Sequence, residues 1–255
     1  MIRNTKYNIV LGKGCGLIEE TLSLLSICDE NTTKDSLAQY VHDHNSLAKC
    51  SDLRSMDIVK LVFFPRFMKN NPKVVCWLRA IRERGLLLSQ FKQLLMIYCA
   101  RENAIMYDFI LSRLNQLREN NVQRLERTVV DEYVDGIVEQ GLATWSDSIK
   151  KRQGNYIKSV LVDFDMLTKR GDILPYEIGN FTVLYLMHEL HFAGLSDMAI
   201  WNHEDWQLFG LDKYAVQQRI LEQNLKGGYI AQCSGELLTI SWNHKSMEDF
   251  INAAI

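Results

Sequence analysis

Apolar residues recur at helical spacing along most of the chain. The clearest example lies between Pro72, which suits the first turn of a helix, and Gly85, which suits the position after its last turn. The apolar stripe between them has the i, i+3, i+4, i+7 spacing and consists of Val74, Trp77, Leu78 and Ile81. Similar stripes over most of the remaining chain predict a mainly α, multi-helix globular protein.

Residues 33–64 have the order helix, turn, helix. A threonine and a serine or aspartate are in place to cap the two helices, and Pro65 is expected to end the second one. Lys49 and Arg54 fall at the beginning of this second helix, where a recognition helix makes its DNA contacts, and Lys60 lies further along it. This segment is the first helix-turn-helix-like module that we predict.

Residues 144–175 form the second predicted module of this kind. Ser146 can cap a helix whose apolar side includes Ile157 and Val160, and a turn follows that helix. A module of this shape neutralises phosphates with its helix and with the turn after it. The residues that we predict for this role are Ser148, Lys150, Lys151, Arg152, Asn155, Lys158, Lys169 and Arg170.

The last part of the chain changes from helical to β-prone patterning. A predicted helix at 212–225 and a glycine pair lead into two short β-prone runs within 229–242, joined by a turn that contains Gly235. Helix followed by hairpin is the order of a winged-helix-like module, so we predict a small C-terminal β-hairpin. We divide the chain into an N-terminal helical region, 1–120, and a C-terminal one, 121–255, with one continuous globule as the alternative.

The formal net charge of −2 hides a strong asymmetry. Residues 54–101 hold ten basic and two acidic residues, a net of +8, whereas residues 177–255 hold four and ten, a net of −6. Within the basic segment, Arg79 and Arg82 lie opposite the apolar stripe and are expected in solvent. Such asymmetry fits a polyanionic partner, and it fits equally a protein whose basic and acidic segments pack together.

Composition excludes several classes of protein. Hydrophobic residues make up 47% of the chain and only three prolines occur, which excludes a disordered or collagen-like chain. The six cysteines include no CxxC pair, so they indicate free thiols in a reducing compartment. The apolar runs are far shorter than a membrane span, and the N-terminal residues lack a signal peptide's apolar region. We therefore expect a cytoplasmic protein with no membrane contact.

No motif indicates catalysis. The glycine-rich stretch Gly12–Gly16 lacks the spacing of a phosphate-binding loop, and we interpret it as a flexible entry loop. His188 and His191 lack the spacing of a zinc protease and a third ligand, so hydrogen-bonded helix histidines are the better interpretation. A nucleophile elbow is also absent from the sequence. We predict no enzyme, no metal and no cofactor.

The chain resembles the BrxA family of BREX (bacteriophage exclusion) systems at positions spread over nearly its whole length. These positions are Tyr7, Gly14, Gly16, Leu17, Glu20 and Thr21, the Asn45-Ser46-Leu47 junction, and residues 145–167, 189–194, 206–211 and 234–242. The resemblance implies a mainly α-helical, non-enzymatic component of an anti-phage operon with two helix-turn-helix-like modules that bind double-stranded DNA. It implies possible partners among the other BREX proteins, namely a methyltransferase, an ATPase and a phosphatase-like component.

Together these patterns favour a DNA-binding accessory protein of phage defence that contacts mainly phosphates. The acidic last third departs from this picture and is not expected to supply a third DNA-contacting surface. A protein–protein scaffold within the defence complex is the first alternative, and an RNA-binding helical module is a weaker one. The predicted DNA-contacting set is completed by Lys49, Arg54, Lys60, Arg79 and Arg82.

Overall fold

The computed structural model describes residues 3–49 and 51–255. It is mainly helical with one two-stranded hairpin near the C-terminus, which confirms the predicted fold class. Its contacts group into two units: residues 3–49 and 51–79 together with 95–175, the larger unit, and residues 80–94 together with 176–255, the smaller unit. The sequence-based boundary at residue 120 is a different division of the chain and stays a prediction.

Side-chain caps form at some of the positions that the sequence indicates and not at others: Ser146 occupies the N-cap position of the helix Asp147–Asp163, but its side chain makes no capping hydrogen bond. Thr33 accepts a hydrogen bond from the Ser36 N–H in a reciprocal capping box, and Ser51 accepts one from the Arg54 N–H. In chain order the helices are α1 (Ile18–Ile27), α2 (Lys34–His44), α3 (Asp52–Asp57), α4 (Phe64–Phe67), α5 (Lys73–Glu83), α6 (Leu88–Glu102), α7 (Ala104–Phe109), α8 (Asn115–Glu119), α9 (Arg127–Glu139), α10 (Asp147–Asp163), α11 (Asn180–Phe192), α12 (Asp197–Trp201), α13 (Lys213–Glu222) and α14 (Met247–Ala254).

The helix that begins with α3 continues past Pro65, so the expectation that this proline ends it is wrong. A π-helical segment, Ile58–Phe63, links α3 to α4, and Pro65 falls in the first turn of α4. In this wider helix the Phe64 N–H donates to the carbonyl of Val59, five residues earlier. The change in hydrogen-bond pattern accommodates a residue without an amide hydrogen, which a regular α-helix would not.

The smaller unit is built around α11, which is buried along nearly its whole length. Strands β1 (Tyr229–Ser234) and β2 (Leu237–Trp242) pair antiparallel, from Tyr229 opposite Trp242 to Ser234 opposite Leu237, which confirms the predicted hairpin. Asp197, at the beginning of α12, accepts a hydrogen bond of 2.9 Å from the Ile240 N–H. This carboxylate fixes β2 against α12.

Candidate nucleic-acid interface

The helix α10 packs against α9 on one side and is exposed on the other. Gly154 marks the close approach, because a Cβ atom there would lie 3.3 Å from a methyl group of Val130. Ile157 and Val160 are fully buried on the packed side. The exposed polar side chains, which share a face at helical spacing, are Ser148, Lys151, Arg152 and Asn155.

A short extended loop follows α10 and pairs with the chain that precedes α9. Leu167 and Ile173 form one antiparallel bridge, and Arg124 and Asp172 form another. In chain order, Arg124 is followed by α9, α10 and this loop. The second arm of the loop, with Asp172 and Ile173, pairs with Arg124 and with the first arm at Leu167. Sequence reasoning located the turn at 168–175 but not this pairing with Arg124.

The tip of this loop is held in shape by Thr168. Its hydroxyl accepts hydrogen bonds from the N–H groups of Arg170 and Asp172 and donates one of 2.7 Å to the Asp172 carboxylate. Gly171 has a φ of +92°, a conformation that a residue with a side chain rarely adopts. Lys169 and Arg170 are exposed at this tip. The two cations therefore sit on an ordered turn.

Lys150 differs from the other cations of α10. Its ammonium group lies 2.8 Å from the Asp135 carboxylate and 2.9 Å from that of Asp147. Hydrogen bonds to these two carboxylates raise the pKa of Lys150. Lys158 is half-buried on the same helix. Lys150 thus joins α10 to α9 through Asp135, and its charge is already countered within the protein.

The cations predicted from the first module are engaged with their own chain. Lys49 forms an ion pair with Glu20, and Lys60 lies 2.8 Å from the Asp35 carboxylate. The Glu20 side chain is only 16% exposed, so its pair with Lys49 is shielded from solvent, whereas Asp35 is well exposed. These side chains hold α1, α2 and the π-helical segment in place.

Arginines also organise the glycine-rich stretch, which forms a 3-10 turn (Val10–Lys13) in place of the expected flexible loop. Arg54 donates to the carbonyl of Lys13, and Arg66, only 6% exposed, donates to the carbonyl of Cys15 at 2.7 Å. The Gly16 N–H donates to the Asp163 carboxylate at 2.8 Å. Because its carbonyls face arginines, this turn does not have the amide-lined geometry of a phosphate-binding loop.

Arg79 and Arg82 have different environments. Arg79 is half-buried and donates to the carbonyl of Cys28 at 3.1 Å, at the end of α1. Arg82 is exposed and donates to the carbonyl of Leu86, which closes the end of its own helix. Only Arg82 therefore meets the expectation of a solvated side chain.

His188 behaves as the sequence indicates. His188 is fully buried, and its Nδ1 atom lies 2.8 Å from the Leu184 carbonyl oxygen, as in a hydrogen-bonded helix histidine. Over residues 3–49 and 51–255, no three His, Cys, Asp or Glu side chains are grouped as metal ligands. The cysteines that the structure describes are free thiols; Cys50 lies outside the described residues. The same ranges contain no helix long and apolar enough to cross a membrane.

Two residues of α10 escaped the sequence interpretation. Gly154 allows the contact with α9, and Gln153 is only 2% exposed although it is polar. Gln153 follows Ile149 by four residues and precedes Ile157 by four, so it interrupts the apolar stripe. This interruption is the signal that could have identified it.

By its fold and this site, the protein belongs to the class of mainly helical proteins in which one helix, here α10, and the turn after it carry exposed cations. The chain belongs to the BrxA family, because the family model matches residues 5–189. BrxA proteins are accessory components of BREX phage defence and do not form a known class of enzymes. The match includes α1 to α10 and most of α11, and it ends before the hairpin.

A solved structure shares the fold. The crystal structure of an uncharacterized protein from Magnetospirillum magneticum superposes with a TM-score of 0.62 at 16% identity, covering 80% of this chain and 98% of that one. At this identity the likeness shows the fold alone. None of the curated proteins matches the chain.

Proposed function

We propose that this protein is a DNA-binding accessory component of BREX defence that grips duplex phosphates with α10 and the turn at 168–171. The observation that carries the proposal is the order of elements. Arg124 comes first, then α9, α10 and the loop that pairs back with Arg124, and Lys169 and Arg170 lie at the tip of that loop. Winged helix-turn-helix modules place their second helix and their loop against DNA in this order. Membership of the BrxA family supports the same assignment.

The cations divide into two groups by their surroundings. Among the described residues, neither Lys151 nor Arg152 has an ion-pair partner, and the tip of the loop adds Lys169 and Arg170. These side chains can replace counterions on phosphates without breaking a contact within the protein. Three others in the predicted set, Lys49, Lys60 and Lys150, would first have to leave a carboxylate. We therefore expect the first group to dominate binding.

The test is a titration of a fluorescent duplex against salt. The double variant Lys151→Glu with Arg152→Glu should weaken binding to every duplex alike and reduce the slope of log K against log salt by about 2. A control with the same change in net charge is Lys6→Glu with Lys34→Glu, both exposed in the same unit. The control should keep the wild-type slope. Failure of the wild-type protein to bind any duplex at low ionic strength refutes the proposal.

A scaffold role is the second candidate. It is favoured by apolar side chains that are exposed in the acidic C-terminal third, namely Tyr214 at 68%, Leu225 at 72% and Leu237 at 59%. A BREX protein that co-purifies after nuclease treatment would support this role over DNA binding. The RNA-binding alternative predicts that structured RNA competes better than duplex DNA in the same titration.

A further inference from the structure

A cavity of about 450 Å³ lies within the larger unit, between the 3-10 turn, the beginning of α3 and the N-terminal half of α10. A cavity of this size falls in the range of small-molecule sites. The charged, amide and hydroxyl side chains in its lining, apart from Tyr156, are those of Lys13, Ser51, Arg54, Asp57, Arg152 and Gln153. The cavity opens beside the exposed face of α10 but does not include the turn at 168–171.

The lining of this cavity includes an amide oxygen without a hydrogen-bond partner. Gln153 lines it and is only 2% exposed, yet its Oε1 atom has no hydrogen-bond partner among the described residues. A buried polar atom without a partner is destabilising, so such atoms are rare in folded proteins. A carboxamide offers adjacent acceptor and donor groups, which suits the edge of a nucleobase, adenine above all.

The charge of the cavity favours an anion. Three cations, Lys13, Arg54 and Arg152, face one carboxylate, that of Asp57, which lies 2.8 Å from the Lys13 ammonium. Arg54 uses one nitrogen to hold the Lys13 carbonyl and keeps other donors. Arg152 has no ion-pair partner among the described residues. A phosphate would find two guanidinium groups here that are not committed to a carboxylate.

The rest of the lining suits a flat, partly apolar group. Tyr156 lines the cavity, and its ring is pressed against Gly12, where a Cβ atom would lie 2.3 Å from the ring. Because Gly12 has no side chain, the Tyr156 ring can occupy the space beside it. Ile149 and Leu53 add apolar surface to the same lining.

We propose that this cavity binds a nucleoside phosphate, with Gln153 on the base edge and Arg54 and Arg152 on the phosphate. The same chemistry is available from a free nucleotide and from one nucleotide unit of a DNA strand. The proposal does not depend on duplex binding by the turn at 168–171.

Calorimetry with the full-length protein tests the proposal, using AMP, adenosine and inorganic phosphate as separate probes. AMP should bind, and Gln153→Leu should weaken it by about tenfold or more because the base edge loses its partner. Gln116→Leu, at an exposed helical position, should leave the affinity unchanged. Thermal unfolding without ligand checks the fold: a glutamine kept for a ligand predicts that Gln153→Leu is at least as stable as the wild type, whereas a structural glutamine predicts that it is less stable. Absence of AMP binding to the wild type refutes the proposal.

Two further measurements are needed. One distinguishes a free nucleotide from a DNA strand as the ligand, and the other separates the nucleotide cavity from duplex binding. Displacement of AMP by a single-stranded oligonucleotide identifies the strand as the source, and failure to displace it identifies the free nucleotide. Lys169→Ala with Arg170→Ala should weaken duplex binding and leave AMP affinity unchanged. If neither AMP nor the oligonucleotide shows binding that Gln153→Leu reduces, the nucleotide site is refuted, whatever the duplex titration gives.

Discussion

Acidification below neutral pH should destabilise the smaller unit through His188. The imidazole is fully buried in α11, and its ring stacks on Phe250 with 4.0 Å between centroids. Nδ1 can donate to the Leu184 carbonyl, whereas Nε2 is buried without a partner among the described residues. The pKa of His188 is lowered to about 4, chiefly by burial, with smaller lowering effects from His244 and His191 and a raising effect from the hydrogen bond to Leu184.

The sign and size of the effect follow from this pKa. An unfolded chain protonates the same histidine near its ordinary pKa of 6.5, so between that pH and about 4 the unfolded state binds a proton that the folded state excludes. Stability is therefore complete above about pH 6.5 and declines as the pH falls towards 4. At 1.36 kcal/mol for each pH unit, the loss reaches roughly 3 kcal/mol. That is a large part of the 5–15 kcal/mol typical of a domain.

Urea unfolding at pH 7 and near pH 4.5, followed by tryptophan fluorescence, measures this loss. Trp242 is a suitable probe because its ring lies 5.1 Å from that of His188. The variant His188→Leu, similar in volume and unable to take a proton, should lose less stability over this interval than the wild type. His44→Leu, at an exposed position, should behave like the wild type. Equal losses in His188→Leu and the wild type would refute the reasoning.

Three further predictions concern local structure. Thr33→Ala removes the capping box of α2 and should lower the free energy of unfolding by about 1 kcal/mol, measured by urea unfolding; no change would contradict the capping role. Gly154→Leu forces a side chain into the contact with Val130 and should destabilise the protein by roughly 1–3 kcal/mol and reduce duplex affinity, with thermal unfolding and the salt titration as measurements. Asp197→Ala removes the acceptor of the Ile240 N–H, so hydrogen exchange at that amide should become faster, and unchanged protection would show that β2 is fixed in another way.

Features encoded locally could be predicted from the sequence. The caps at Thr33 and Ser51 and the hairpin at 229–242 depend on residues close together in the chain, and the structure has them where the patterns place them. The passage of the helix through Pro65 could not be predicted, because it depends on a π-type hydrogen-bond shift that has no simple sequence signature. The hydrogen bond of Arg54 could not be predicted either, because its acceptor is the carbonyl of Lys13, 41 positions earlier in the chain.

The net charge of a segment says less about which side chains are available to a phosphate than the partners of each side chain do. The segment 54–101 has a net charge of +8, yet Arg54, Arg66 and Arg79 each donate to a backbone carbonyl of their own chain. Such arginines retain their charge, but the donors that hold these carbonyls cannot move to a phosphate without leaving the carbonyls unpaired, so only their remaining donors, such as those of Arg54, are available. Lys151 and Arg152 do not hold a carbonyl in this way, so they can contact phosphates without disturbing the fold. The duplex surface is therefore expected on α10 and its following turn, outside the segment with the highest net charge.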